Sequence, residues 1–293
     1  MKPPVFVIGN PRSGTTLLRL ALACHPGLVV PPECGFAVWW KKRYGGWAGG
    51  GEAGDALLET FVRDLMTSRK IETWKIDGEE VLAFLRERRP ASYPEAVSAV
   101  YEHYGIRHRG GCPRWGDKNN FHVLHVRDLQ ELFPDASFIH IVRDGRDVAC
   151  SYRELAGRDL QDPFAPHLPS VVEEIAADWR RGLLAARDAF SARAWEGVHE
   201  IRFEDLVLDM ENTLRGLCGA IGEPWDPAML CYAEENREHE LEPRAFLAWK
   251  EKTLLPPDLS VVGRFRRDLT DEERKRFEAV AGAELRLYAY PGA

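Results

Sequence analysis

The chain opens on a four-residue apolar run, Val5-Phe6-Val7-Ile8, that ends in Gly9-Asn10-Pro11. β-Branched and aromatic residues bounded by turn formers predict a buried strand. Apolar positions then recur at Leu17, Leu18, Leu20, Ala21 and Leu22, a helical spacing closed by His25-Pro26-Gly27. Residues 28–30 form a candidate second strand, leading to Pro31-Pro32-Glu33. The run 45–54 holds six glycines in ten residues and predicts a mobile loop. From 55 to about 110 the pattern is amphipathic and helical, with breaks at Pro90 and Pro94.

A second unit begins at Val123. Its helix runs to Leu132 and stops at Phe133-Pro134-Asp135, and Ser137 to Val142 then reads as a strand. Arg143-Asp144-Gly145-Arg146 turns into a helix from Asp147 onward. A third unit follows, with a helix over 175–190, a strand over 198–203 and a helix over 213–221. Strands alternating with helices predict an α/β fold with a mostly parallel central sheet covered on both faces. Ligands of such sheets sit at the carboxyl ends of the strands. The loops after Ile8 and Val142 are therefore the places to look for chemistry.

Composition narrows the function classes. Of 293 residues, 39 are Lys or Arg and 46 Asp or Glu, a formal charge of −7, which gives no support for duplex nucleic acid as a partner. A bound anion must instead meet a local cluster of cations and amides. The six cysteines are scattered, with no C-x-x-C pair, and read as free thiols. No signal-like segment and no apolar run near the ~20 residues of a membrane span is visible, so the expectation is a cytoplasmic enzyme.

Gly9-Asn10-Pro11-Arg12-Ser13-Gly14-Thr15-Thr16 has the G-x-x-x-x-G spacing of a P-loop between a predicted strand and helix. Successive backbone N–H groups there form an anion cradle. Thr15 stands where a triphosphate-binding loop has its Lys, which argues against an ATPase or a P-loop kinase, while Arg12 puts a cation inside the loop. There is no H-E-x-x-H and no carboxylate cluster at metal-ligand spacing.

The segment Pro11 to Leu18 resembles the 5′-phosphosulfate loop of sulfotransferases that use PAPS (3′-phosphoadenosine 5′-phosphosulfate), closest to the branch of tyrosylprotein and many bacterial enzymes. Trp115-Gly116-Asp117-Lys118, Leu132-Phe133-Pro134-Asp135, the stretch Phe138 to Ala149, Arg202-Phe203-Glu204-Asp205-Leu206 and Val262-Gly263-Arg264-Phe265 read like the same branch. Segments 4–36 and 112–290 are covered. The resemblance implies a single domain over 1–293 of three-layer, P-loop type, with a helical acceptor-side or lid insertion at about 37–111.

It also implies a chemistry. Arg12, Ser13, Gly14, Thr15 and Thr16 would hold the 5′-phosphosulfate, Arg143 and Ser151 would grip the 3′-phosphate, and Arg264 and Arg266 would close over it. Arg143 could instead pair with Asp144 or Asp147, and Arg146 and Arg153 could be helix charges. Lys118 and Arg12 would neutralise charge at the transferred group, with no metal required. Asn119-Asn120 replaces the Thr-Pro that commonly follows this Lys. Glu33 is the candidate base, with Asp117 and His122 as alternatives and His125 and His140 also weighed. The acceptor is expected to be a hydroxyl compound such as a small molecule or sugar. A kinase, or a non-catalytic PAP- or nucleotide-binding protein on the same fold, is the alternative.

Overall fold

The computed structural model describes residues 1–47, 51–158, 160, 162–192 and 197–292. Four strands, β1 (Val5–Ile8), β2 (Gly116–Lys118), β3 (Ser137–Val142) and β4 (Val198–Arg202), form one sheet in the order β2-β1-β3-β4. Every pairing is parallel, with Val5 opposite both Gly116 and Ser137 and Phe138 opposite Val198. The strands expected at 5–8, 137–142 and 198–203 are thus present.

Side chains alternate across the sheet because successive Cβ atoms in a strand point to opposite faces. On one face Val5, Val7, Ile139 and Ile141 pack with Leu18, Ala21 and Leu22 of helix α1 (Thr15–Ala23) and with Leu214 and Leu217 of the helix Met210–Ile221. On the other, Phe6, Ile8 and Phe138 meet an aromatic core that includes Phe36, Phe61, Trp74, Tyr93, Tyr101 and Trp115. Phe6 lies edge-on to Trp115 at 5.6 Å and stacks with Phe138 at 5.5 Å. The result is a three-layer α/β fold of P-loop type. A third core joins the helices Gly145–Ala156, Val172–Ser191 and Asp271–Leu287.

Several expectations are corrected. Residues 28–30 form no strand, only an isolated bridge from Val29 to Trp115. The glycine-rich run is not all loop: the helix Gly51–Leu65 begins inside it, and residues 48–50 lie outside the described residues. Strand β2 carries the sequence Gly-Asp-Lys, which has neither β-branched residues nor alternation, so its pattern gave no strand signal. The interruption at Pro90 and Pro94 separates the helices Gly78–Arg88 and Tyr93–Arg109. Pro94 sits in the first turn of the second, where its missing N–H costs nothing. Among the described residues no helix is long and apolar enough to cross a membrane.

The order β2-β1-β3 sends the chain to one side of β1 and then to the other, so the loops after β1 and β3 diverge at a topological switch point. Residues 9–14, 119–120 and 143–144 consequently gather at one edge of the sheet.

Candidate active site

The loop after β1 is held from several sides. Asn10 Nδ2 donates to the Trp179 carbonyl at 2.8 Å, and Trp179 Nε1 donates to the Arg143 carbonyl at 3.1 Å, which ties this loop to the one after β3. Arg12 (φ 64°) and Gly14 (φ 88°) both adopt the left-handed conformation. A Cβ on Gly14 would fall 2.3 Å from the Phe203 ring, so both the backbone and the space call for glycine. The loop ends at the N-terminus of α1, where free N–H groups and the helix dipole favour an anion. Thr15 Oγ1 donates to Asn120 Oδ1 at 2.8 Å, and Asn119 Oδ1 accepts from the Phe121 amide at 3.1 Å. The unusual Asn-Asn pair thus fastens β2 to the loop and caps the turn that follows it.

A cavity of about 410 Å³ lies against this loop, lined among others by Arg12, Gly14, Thr15, Thr16, Glu33, Arg143, Ser151 and Arg264. Arg12 Nε donates to Ser151 Oγ at 3.0 Å, and its Nη1 donates to the Trp249 carbonyl at 2.9 Å. Burial, with Arg143 nearby, pulls the Arg12 guanidinium down to about 10. Arg143 donates to the carbonyls of Arg12 and Val261, both at 3.0 Å, and lies 4.3 Å from the centre of the Phe203 ring. Its pKa is also lowered by burial, although Asp147 and Glu204 oppose the shift. Among the described residues the buried Arg143 Nε has no hydrogen-bond partner. A desolvated guanidinium with a spare donor is matched to a phosphate-type anion.

Asp144 pairs with Arg146 at 2.8 Å, and Asp147 accepts from the Gly263 and Phe265 amides at 2.7 and 2.9 Å. These two carboxylates are therefore engaged elsewhere. Arg146 also binds Glu278, and Arg153 binds Glu273, both away from the cavity lining. Arg264 lines the cavity while pairing with Glu154 and Asp268, each at 2.8 Å. Arg266 is not in the lining, and its guanidinium lies 4.8 Å from the Phe265 ring.

Glu33 lines the same cavity, 6 % exposed. Its Oε1 is in close contact with Lys118 Nζ, and Lys118 also reaches Thr16 Oγ1 at 3.1 Å. Lys70 Nζ donates to Glu33 Oε2 at 2.7 Å, and Lys250 Nζ lies 3.7 Å from Oε1. Burial alone would raise the Glu33 carboxyl, but Lys118, Lys250 and Lys70 outweigh it and hold it well below the ordinary range. Burial lowers Lys118 to about 8, with Glu33 opposing and Lys250 assisting. Lys250 is held by Glu242 at 2.5 Å, and Glu242 also accepts from Arg19 at 2.7 Å.

The alternative bases lie elsewhere. Asp117 alternates with Lys118 along β2, is 1 % exposed and is absent from the cavity lining. Burial pushes it up to about 7, with Tyr101 and Lys118 only partly opposing. His122 is fully buried 3.7 Å from Asp117 and is lowered to about 3 by burial and by His125. His125 stacks on Phe121 at 3.9 Å and bonds Asp128, and His140 pairs with Glu200 at 3.1 Å. None of these histidines lines the cavity. Sequence reasoning missed Lys70, Lys250 and Glu242, and it missed the segment from Trp249 to Val261 that lines the cavity ahead of the expected Arg264. Among the described residues no group of three or more His, Cys, Asp or Glu is placed to hold a metal ion.

A profile described as "Sulfotransferase family" matches residues 3–227. Protein-tyrosine sulfotransferase A of Caenorhabditis elegans is 24% identical over 239 residues, 78% of this chain and 52% of that protein. The chain thus spans about half the length of this curated relative. Omega-hydroxy-beta-dihydromenaquinone-9 sulfotransferase Stf3 of Mycobacterium bovis is 34% identical over 132 residues, 42% of this chain and 33% of that one. Among solved structures, the sulfotransferase domain of the Synechococcus PCC 7002 olefin synthase superposes with a TM-score of 0.60 at 21% identity, covering 96% of each chain.

Proposed function

The chain belongs to the sulfotransferase family, and on that footing we propose that it transfers a sulfuryl group from PAPS to an acceptor hydroxyl and releases PAP. The observation that carries this reading is a single cavity holding two cationic stations. Arg12, Arg143 and Ser151 line one station, and Glu33, Lys70 and Lys250 line the other, with Lys118 behind Glu33 and Thr16. Two separated anions, a 3′-phosphate and a 5′-phosphosulfate, fit two such stations. The Nε of Arg143 has no partner among the described residues, so the guanidinium can turn toward the first without giving up a bond there.

In the transfer, the acceptor oxygen attacks sulfur and its proton passes to a Glu33 carboxylate oxygen. The new O–S bond forms as the bond from sulfur to the 5′-phosphate oxygen breaks. That electron pair leaves with PAP, where the loop amides, Arg12 and Lys118 stabilise the growing charge. Lys118 also orients Glu33 through their ion pair.

The test follows PAP release from PAPS with a panel of phenols, hydroxy acids and tyrosyl peptides. Glu33→Gln should bind PAP like the wild type while turnover drops by about 10²–10⁴-fold, the usual weight of a general base. Undiminished turnover in this variant would overturn the assignment of the base. No turnover by the wild type on any acceptor would overturn the function.

A further inference from the structure

The cavity floor holds more cation than donor chemistry uses. Lys70 and Lys250 line it, Arg19 and Lys118 lie buried behind it, and the four share two carboxylates, Glu33 and Glu242. Lys118 belongs to the phosphate loop through Thr16, and Arg19 and Lys250 both grip Glu242. Among the described residues Lys70 has no such second polar attachment, only the Phe246 ring. Among the described residues, the carboxylate that pairs with it is Glu33, the group required to accept a proton.

Lys70 is also built into place. It takes the left-handed conformation (φ 73°, ψ 0°) before the turn Ile71–Trp74, a strain of about 1–2 kcal/mol for a residue with a Cβ. Trp74 Nε1 from this turn donates to the Pro32 carbonyl at 2.9 Å, which locks it to the segment bearing Glu33. The Lys70 ammonium rests 4.9 Å from the centre of the Phe246 ring and lines the cavity. An aromatic platform and a strained backbone aim this charge at the place where the acceptor hydroxyl must sit.

We propose that Lys70 is the anchor for a carboxylate carried by the acceptor, so that the preferred acceptors are hydroxy acids. The inference rests on the sulfotransferase reading above. Three hydrogen-bond lengths, one of them the 2.7 Å Lys70–Glu33 contact, join a carboxylate on Lys70 to a hydroxyl on Glu33, which at ordinary angles sets the two about 5–7 Å apart. Binding and proton transfer are then coupled. A carboxylate draws Lys70 away from Glu33 and supplies the negative charge that Glu33 loses when it protonates. A neutral acceptor leaves Lys70 on Glu33 and the base restrained.

The test titrates PAP-saturated protein with 6-hydroxyhexanoate and 8-hydroxyoctanoate, whose chains span that separation, and with their methyl esters. Wild type should bind the acids at least about 10-fold more tightly, the effect of one charge-assisted hydrogen bond. Lys70→Met should erase that preference while PAP affinity stays within about 2-fold, and Lys70→Arg should retain it, since charge rather than shape carries it. Glu33→Gln removes Lys70's competing partner and should tighten acid binding more than ester binding, and adding Lys70→Met to it should cancel that gain, which release of Lys118 and Lys250 alone would not do. Equal binding of acid and ester, binding of neither, or a preference that survives in Lys70→Met overturns the anchor alone. A wild-type protein that fails to bind PAP overturns the reading beneath it.

Discussion

Replacing Arg143 by Ala removes a guanidinium that is 5 % exposed, donates to two backbone carbonyls and keeps one unpartnered Nε. A hydrogen bond from a charged donor contributes about 1.5–3 kcal/mol, and an Arg fork on a phosphate makes two of them. Part of that gain is offset because Arg143 must release the Arg12 and Val261 carbonyls to reach the ligand. A net loss of about 3 kcal/mol remains, roughly 100-fold in PAP affinity at 1.4 kcal/mol per decade. The loss should depend on the ligand. Adenosine 5′-phosphate lacks the 3′-phosphate and should weaken by no more than about 3-fold. Calorimetric titration of both nucleotides into wild type, Arg143→Ala and Arg143→Lys reads the difference directly, with Lys expected in between because it keeps the charge without the fork. A thermal melt at saturating PAP checks that the variant is folded. Equal losses for the two nucleotides would refute the placement of the 3′-phosphate on Arg143.

Other outcomes follow from the buried charges. Lys118 carries its proton below about pH 8 in the free protein, so kcat/KM for PAPS should be level below that pH and fall above it. In Lys118→Arg the falling limb should move beyond pH 10, and a limb fixed near 8 would assign it to another group. Asp117 ionises near 3.8 when unfolded and about 7 when folded, so its burial costs stability progressively as pH rises between those values. Asp117→Asn should therefore raise Tm more at pH 8 than at pH 4.5, by at most about 4 kcal/mol in equivalent stability, and an equal effect at both values would contradict the shift. Glu242→Ala leaves Arg19 and Lys250 as buried cations that share Glu33 or stand alone. A loss of about 3–5 kcal/mol in urea unfolding is expected, and a change under 1 kcal/mol would show that the lattice relaxes.

What the sequence made legible was local. Val5-Phe6-Val7-Ile8 and Ser137 to Val142 announce themselves because apolar, β-branched runs end in turn residues, and both strands fall where that pattern puts them. Gly14 was legible for a similar reason, since a glycine before a helix marks a backbone that a side chain would obstruct. Glu33, Lys118, Arg12, Arg143 and Ser151 came from motif likeness, and the fold brings all but Lys118 to the cavity wall, with Lys118 directly behind Glu33 and Thr16.

The unread part was tertiary. Lys70 stands in Ser68-Arg69-Lys70 and Lys250 in Trp249-Lys250-Glu251, contexts that read as solvated charge. Lys250 is buried and Lys70 partly covered because distant segments dock over Glu33, which no periodicity encodes. Asp117 and Lys118 are neighbours in sequence but point to opposite faces of β2. Deciding between them needs the register of a three-residue strand that carries no pattern of its own.

The most direct test of the central claim is calorimetric titration of the purified chain with PAP and, separately, with ATP and magnesium. One-site PAP binding in the micromolar range, with no heat from ATP and magnesium, is the predicted result. Tight ATP binding with indifference to PAP would contradict it and make the chain a P-loop kinase instead.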